Sequence, residues 1–189
     1  LNSAIKYTRD AIYANEARYH INGLHFHFKE EEEEGEIKKE IDVVSTDGHR
    51  LSLFTIEDAE LNCTGKITVP RKLVNDIFKE LENASVEVIF YFSNNNLKID
   101  FGNTIITTKL IDAEFPDYNR VIPKNNDKTL IINAKKFKDA VERVSSVYLT
   151  ITNEIGIRLK ISKDRVEMTS VKDINKAYDE MDAEFHGGE

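Results

Sequence analysis

The sequence contains little cysteine and proline and has no tryptophan. Of its 189 residues, one is cysteine and three are proline. The single thiol, Cys63, excludes an internal disulfide and leaves too few thiols for a cysteine-based zinc site. We therefore expect Cys63 to be a buried or half-buried free thiol of a protein in the reducing cytoplasm.

Long apolar runs are also missing. A membrane-spanning helix needs roughly 20 mostly apolar residues, whereas the longest runs here, such as Val86–Phe92, have the length of a strand. The chain begins at Leu1 without a basic and then apolar leader, so we expect no signal peptide and a sequence cut from something longer. These features predict an ordinary globular protein with no membrane partner.

Acidic residues outnumber basic ones, and the net charge is −8. This charge excludes a protein that coats nucleic acid with its whole surface, but it leaves room for binding through one basic face. The basic residues on the predicted helices fall into three groups: Lys6 and Arg9; Arg71, Lys72 and Lys79; and Lys135, Lys136, Lys138 and Arg143. Acidic residues gather in the predicted loops and hairpins.

The hydrophobic pattern predicts a repeated unit. Apolar residues recur at helical spacing in 1–14, 71–81 and 134–147, and segments with strand-like alternation follow each helix. The starts of the last two helices align, Val69–Leu73 with Asn133–Phe137, about 64 positions apart. We therefore predict an α+β fold of repeated β-α-β-β-β units, with helices on one face and antiparallel sheets on the other.

Proline-containing stretches divide the repeats into two domains. The segment 115–128 is predicted to be a linker, because Pro116 and Pro123 interrupt the pattern there. Residues 1–126 then form a nearly complete domain of two repeats, the first of which lacks its opening strand. Residues 127–189 form the first half of a further domain.

Two local features of the first domain carry predictions of their own. Five adjacent glutamates, Glu30–Glu34, repel one another and predict a solvated hairpin loop that continues to Glu40. His25 and His27 alternate with apolar residues and predict an exposed face of a half-buried strand. Two imidazoles on one face could bind a metal, but no third ligand stands nearby, so we predict no metal site.

The densest polar cluster is Ser45–Leu51. Asp47 and His49, with Ser45 or Cys63 as nucleophile, would suit a hydrolase, but no sequence feature supplies an oxyanion hole. Asp47 and Gly48 suit a two-residue hairpin turn instead, with Asp47 capping the turn. We predict no catalytic residue and no cofactor.

Four motifs occur in order along the chain. They are Thr46–Leu51, Val69–Lys72, Lys109–Asp112 with Phe115–Tyr118, and Arg120–Pro123. Together they closely resemble the bacterial DNA polymerase III beta subunit family, the sliding clamps. Arg18–Gly23 is similar to the first strand of that family's middle domain. The resemblance covers the whole chain, from the middle domain through the first half of the third.

The resemblance implies a non-catalytic, cytoplasmic processivity factor. In the family, three such domains per subunit and two subunits head to tail close a homodimeric ring around double-stranded DNA. The implied partners are the DNA polymerase III catalytic subunit, the clamp loader and other proteins with a clamp-binding motif. Phosphate contacts can be few and water-mediated, which permits sliding. By matching position, the implied DNA-facing residues are Asn15, Arg18, Tyr19, His20, Arg71, Lys72, Lys124 and Asn125.

The resemblance also implies an apolar cleft that receives a short linear peptide. Its middle-domain wall would be Ile21, Thr46, Gly48, His49, Arg50, Leu51, Pro116, Arg120 and Val121. The apolar members would bury peptide side chains, while Arg50 and Arg120 frame the pocket or pair with acidic groups. Around Asn153–Gly156, where an aromatic residue approaches the cleft in the family, this chain has Glu154 and Ile155.

Two hypotheses from other classes stay open. One is a peptide-binding adaptor module without a DNA role. The other is a hydrolase that uses His49 and Asp47.

Overall fold

The computed structural model describes residues 1–33, 35–83, 87–147, 156–172 and 174–187. The chain divides into two compact units, Leu1–Ile122 and Pro123–Glu189. Val86 and the Glu154–Ile155 pair lie outside the described residues. Among the described helices, none is long and apolar enough to span a membrane.

The described residues of the first unit form two α-helices and two antiparallel sheets. In chain order the elements are α1 (Asn2–Thr8), β1 (Gly23–Glu33), β2 (Glu36–Thr46), β3 (Leu51–Ile56), β4 (Gly65–Pro70), α2 (Arg71–Asn83), β5 (Ile89–Phe92), β6 (Asn96–Asp100) and β7 (Ile105–Lys109). One sheet has the order β3-β2-β1-β4 and the other the order β5-β6-β7. Short 3-10 helices occur at Arg9–Ala11, Glu16–Ile21 and Tyr118–Arg120.

The second unit repeats this plan once. Its elements are β8 (Thr129–Ile131), α3 (Ala134–Ser145), β9 (Arg158–Ile161), β10 (Arg165–Lys172), β11 (Asn175–Asp182) and β12 (Glu184–His186). They form antiparallel sheets in the orders β11-β10-β9 and β12-β8. Strand β4 with α2 precedes three further strands, and strand β8 with α3 precedes four. The order of strand, helix and antiparallel strands is the same in both, so the predicted α+β repeat is confirmed.

The core of the first unit lies between the helices and the sheets. Val74 and Ile77 form the buried stripe of α2, one turn apart, and they pack with Ile5 of α1. Strand β1 contributes Phe26 and Phe28 from one face, and the ring of Phe28 stacks on Phe92 at 4.7 Å. This core holds α2 against strand β1, and the candidate site lies at the β2–β3 turn of the same sheet.

The prediction of an acidic loop from Glu30 to Glu40 is wrong. Strands β1 and β2 stay paired through this region, with Glu30 opposite Lys39 and Glu31 opposite Lys38. The Nζ of Lys39 lies 3.3 Å from Oε1 of Glu30. Cross-strand lysines thus offset the repulsion between glutamates and extend the hairpin as a ladder.

Two predicted element boundaries and the predicted thiol environment also differ from the structure. The first helix ends at Thr8 rather than near residue 14, and the Thr8 hydroxyl donates to the Ala4 carbonyl at 2.7 Å. The sequence predicts a single last strand over residues 177–185, whereas the structure has two strands, β11 and β12, interrupted at Ala183. The Ala183 amide donates to the Asp164 carbonyl. Cys63 is exposed rather than buried or half-buried as predicted.

The linker prediction is wrong for residues 115–122, which we call the connecting segment. Phe115 and Tyr118 are buried against Ile21 and Val44 in a second small core. The connecting segment covers the β1 face that carries His25, which is therefore buried rather than exposed. The two units divide after Ile122; the assignment of 1–126 and 127–189 to clamp domains stays a prediction.

Candidate functional site

The turn between β2 and β3 is the first component of the site. Thr46 pairs with Leu51, so the turn has four residues rather than the predicted two. Oδ1 of Asp47 accepts hydrogen bonds from the amides of His49 (2.9 Å) and Arg50 (3.0 Å), which matches the predicted capping role. Gly48 has a φ of +88°, a left-handed conformation that favours glycine.

Arg50 is held by its own chain. Its Nε lies 3.0 Å from Oδ2 of Asp47, and its Nη2 donates to the Asp10 carbonyl at 2.6 Å. Partial burial raises the pKa of Asp47, but the hydrogen bonds from the His49 and Arg50 amides and from the Arg50 guanidinium outweigh this, so the net pKa is lowered. Asp47 is therefore an ionised carboxylate that stabilises the turn through these hydrogen bonds.

This geometry does not support the hydrolase hypothesis. The Asp47 carboxylate binds the backbone amide of His49, and its other oxygen binds Arg50. The hydroxyl of the buried Ser45 donates to the Thr8 carbonyl. Ser45 is therefore not placed as a nucleophile, and the Asp47 carboxylate does not orient the imidazole of His49. Among the described residues, no group of three or more His, Cys, Asp or Glu side chains could hold a metal ion.

The connecting segment is the second component. The ring of Phe115 stacks on His25 with centroids 4.4 Å apart, and Tyr118 is 4% exposed. Asp117 begins the 3-10 turn by accepting from the Asn119 amide, and its carboxylate lies 2.9 Å from Nε of Arg120. Val121 follows with 65% of its surface exposed. The aromatic residues thus anchor the segment, while its apolar Val121 faces outward.

A pocket of about 480 Å³ lies between the turn and the connecting segment. Its floor is the buried Ile21, and half-buried Leu51 and exposed Val121 supply further apolar surface. Its lining residues are Arg18, His20, Ile21, Thr46, Gly48, His49, Arg50, Leu51, Phe115, Pro116, Asp117, Tyr118 and Val121. The structure thus brings together eight of the nine residues predicted for the cleft.

Arg120 is the predicted cleft residue that does not line this pocket. It pairs with Asp117 and lines a neighbouring cavity of about 560 Å³. Arg50 and Arg120 both pair with acidic groups of this chain, Asp47 and Asp117. The prediction left open whether they frame the pocket or pair with acidic groups.

Sequence reasoning missed five lining residues. It assigned Arg18 and His20 to DNA, and it left Phe115, Asp117 and Tyr118 unassigned. Phe115 precedes the 3-10 helix Tyr118–Arg120, and both rings pack on residues distant in the chain, so no local signal marks this aromatic pair.

The residues predicted to face DNA lie in three places. Asn15, Arg18 and Tyr19 are exposed, and His20 beside them is half-buried. The Asn15 side chain caps the 3-10 helix that follows it. Arg71 and Lys72 are exposed at the start of α2. The amide of Arg71 donates to the Asn22 carbonyl at 3.1 Å, which ties α2 to the first loop.

The remaining two, Lys124 and Asn125, are exposed and belong to the second unit. Within the ranges that the structure describes, Arg71 and Lys72 form no ion pair with the protein. Their charges are therefore available to an anionic ligand.

The repeated helix-and-sheet units and this pocket define a protein of the DNA-clamp class. The family model of the DNA polymerase III beta subunit, central domain, matches residues 1–117, and the model of its C-terminal domain matches residues 119–189. The chain belongs to the DNA polymerase III beta subunit family.

Individual relatives agree with this assignment. The beta sliding clamp of Caulobacter vibrioides is 33% identical over 183 residues, which cover 95% of this chain and 47% of the relative. A crystal structure of the Caulobacter crescentus clamp superposes with a TM-score of 0.86 at 32% identity, covering 100% of this chain and 49% of that one. A Bartonella birtlesii clamp bound to griselimycin gives 0.81 at 30% identity, covering 99% and 49%. The chain thus spans about half the length of these relatives.

Proposed function

We propose that the full-length protein is a processivity factor that encircles double-stranded DNA and tethers DNA polymerase III through the pocket. The observation that carries this proposal is the 480 Å³ pocket between two motifs of the family, the β2–β3 turn and the connecting segment. The function is non-catalytic and is exerted in the cytoplasm. The full-length protein acts as a head-to-tail homodimeric ring, placed on DNA by a clamp loader.

The pocket suits apolar side chains of a short peptide. Burying one Leu- or Phe-sized side chain is worth roughly 1.5–3 kcal/mol before the entropic costs of binding. Leu51, Pro116 and Val121 provide the apolar contacts, and Ile21 closes the floor. Two such anchors and a few hydrogen bonds give the moderate affinity that a clamp needs to exchange partners.

A Bartonella birtlesii clamp is bound to griselimycin in its crystal structure, and we propose that this compound occupies the pocket of the present protein. We expect calorimetric titration of the full-length protein with griselimycin to give a Kd that rises more than tenfold in Val121→Asp, because the substitution places a charge on the apolar wall. Val121 is 65% exposed, so the fold should tolerate the change. Ile37→Asp, at a 70% exposed position on the β1–β2 hairpin, is the matched control and should bind as wild type.

The basic residues suit loose contact with phosphates. A protein of net charge −8 is repelled from DNA over most of its surface, so the unpaired Arg71 and Lys72 at the start of α2 are the natural contacts. Enclosure rather than tight binding would then hold the DNA, which permits sliding without readout of bases.

A peptide-binding adaptor without a DNA role is the second candidate. It is favoured by the acidic net charge and by a pocket whose lining lies within the first unit. In both functions the pocket binds peptides, so only a DNA-dependent measurement distinguishes them.

The discriminating experiment reverses the predicted DNA-facing charges in the full-length protein. Arg71→Glu, Lys72→Glu and Lys124→Glu together should abolish clamp-dependent primer extension on circular DNA while griselimycin binding is kept. The control reverses three exposed charges among the strands and turns of the second unit, Arg158, Lys163 and Lys176, and should extend primers normally. Unchanged primer extension in the first variant would favour the adaptor.

A further inference from the structure

The connecting segment is attached to the sheet by a buried hydroxyl. Tyr118 is 4% exposed, and its hydroxyl donates to Oδ2 of Asp42 at 2.8 Å. The hydroxyl oxygen of Tyr118 also lies 2.8 Å from Nδ1 of His27. Because the single hydroxyl proton goes to Asp42, His27 must donate from Nδ1, and its neutral ring carries the proton there.

The acceptor in this link is a buried carboxylate with a full set of partners. Asp42 is 5% exposed, and it accepts from the Thr55 hydroxyl at 2.8 Å and lies 3.0 Å from Nζ of Lys29. Burial raises the pKa of Asp42, but the hydrogen bonds from Tyr118, Thr55 and Lys29 outweigh it and leave the pKa lowered. The Tyr118 phenol therefore binds a charged acceptor, which makes its hydrogen bond stronger than one between neutral groups.

Burial and the hydrogen bond to Asp42 also raise the pKa of Tyr118 far above its usual value, so the phenol remains a donor at every physiological pH. The hydroxyl end of Tyr118 lies away from the pocket. Neither Asp42 nor His27 lines the pocket, although the Tyr118 side chain does. Pro116 and Val121 line the pocket, and they lie two residues before and three residues after Tyr118 in the sequence.

We propose that Tyr118 is a positioning residue for peptide binding. Its hydroxyl, held between Asp42 and His27, fixes the connecting segment and so sets where Val121 meets the ligand. This inference rests on the proposed function, and it assigns a role in peptide affinity to two residues, Asp42 and His27, that the peptide does not contact.

The test is the Tyr118→Phe variant of the full-length protein, which keeps the buried ring and removes the hydroxyl. We expect the Kd for griselimycin to rise at least fivefold. Tyr13→Phe is the matched control, because Tyr13 packs against the same small core but is not part of the Asp42–His27 link. Its affinity should stay within twofold of wild type.

A spectroscopic measurement reports the link itself. The ¹⁵N shifts of the His27 imidazole should show the proton on Nδ1 in the wild type and a shift toward the Nε2-protonated form in Tyr118→Phe. A residue that only stabilises the fold could change this tautomer but would leave the Kd of the folded protein unchanged.

His27→Leu provides a second variant if Tyr118→Phe folds poorly, because His27 is only half-buried. It should also weaken griselimycin binding. The double variant, Tyr118→Phe with His27→Leu, should have a Kd for griselimycin no more than twofold above that of Tyr118→Phe alone, because both changes break the same link. His27→Asn, whose amide nitrogen takes the position of Nδ1 and restores a donor there, should recover most of the affinity.

The outcomes separate this inference from the proposed function. If Val121→Asp loses affinity while Tyr118→Phe binds within twofold of wild type, the positioning role is overturned and the pocket stands. If the wild type does not bind griselimycin, or Val121→Asp binds as tightly as wild type, the proposed pocket fails and the inference fails with it.

Discussion

The buried imidazole of His25 makes the stability of the first unit sensitive to acid. His25 is 4% exposed, stacks under Phe115, and lies 3.0 Å from the Thr68 hydroxyl. Burial first, then the charge that His27 gains when it is protonated in acid, and then the charge of Lys66, lower the pKa of His25 to about 4, although Asp42 opposes the shift. We predict that replacing His25 by leucine removes a large part of the acid sensitivity of the fold.

The magnitude follows from the difference between the two pKa values. An unfolded histidine binds its proton near pH 6.5 and the folded His25 near 4, so protons favour the unfolded state throughout that interval. The contribution of neutral His25 is fully present above about pH 6.5 and decreases as the pH falls toward 4. Between pH 7 and pH 5 the loss is about 2 kcal/mol, at about 1.4 kcal/mol per pH unit once below 6.5.

Hydrogen exchange of the β1 amides is the assay, because Phe26 lies in the core of this unit. The free energy of opening should fall by about 2 kcal/mol more in the wild type than in His25→Leu between pH 7 and pH 5. The exposed His49 gives the matched control: His49→Leu should keep the dependence of the wild type. Equal losses in the wild type and in His25→Leu would refute the reasoning.

Three further changes test the packing and the turn. Ile77→Ala, at a fully buried position of α2, should lower the free energy of unfolding by about 2–5 kcal/mol in urea, whereas Ile105→Ala, 58% exposed, should change it by less than about 0.5 kcal/mol. Gly48→Ala should cost about 1 kcal/mol or more in the same assay, because φ is +88° and the new Cβ would lie 2.9 Å from Nη1 of Arg18; no loss would contradict the turn geometry. Phe115→Ala should destabilise the unit by about 3–5 kcal/mol and weaken griselimycin binding, and wild-type affinity would contradict the anchoring role of this ring.

The sequence pattern within short windows predicted the elements whose structure depends on neighbouring residues. Pro70 and the apolar stripe through Leu81 predicted α2, and Asp47 with Gly48 predicted the β2–β3 turn, although the turn proved to be four residues long. The aligned helix starts predicted the repeat. Each of these features depends on residues within one turn or one hairpin, so their signals are present in short windows of sequence.

The connecting segment could not be predicted in this way. Tyr118 binds Asp42 and His27, which lie 76 and 91 residues earlier in the chain. Pro116 and the polar residues around it are typical of a linker, and only the distant partners make the segment part of the first unit. The prediction of an acidic loop failed for a similar reason. The lysines opposite Glu30 and Glu31 can be identified only once the strand register is known.

Retention on DNA tests the central claim most directly. The full-length protein, placed on DNA by its clamp loader, should remain on nicked circular DNA in high salt and should be lost when the same circle is linearised, because enclosure survives screening of phosphate contacts and an open end releases it. Equal loss from circular and linear DNA would contradict the account.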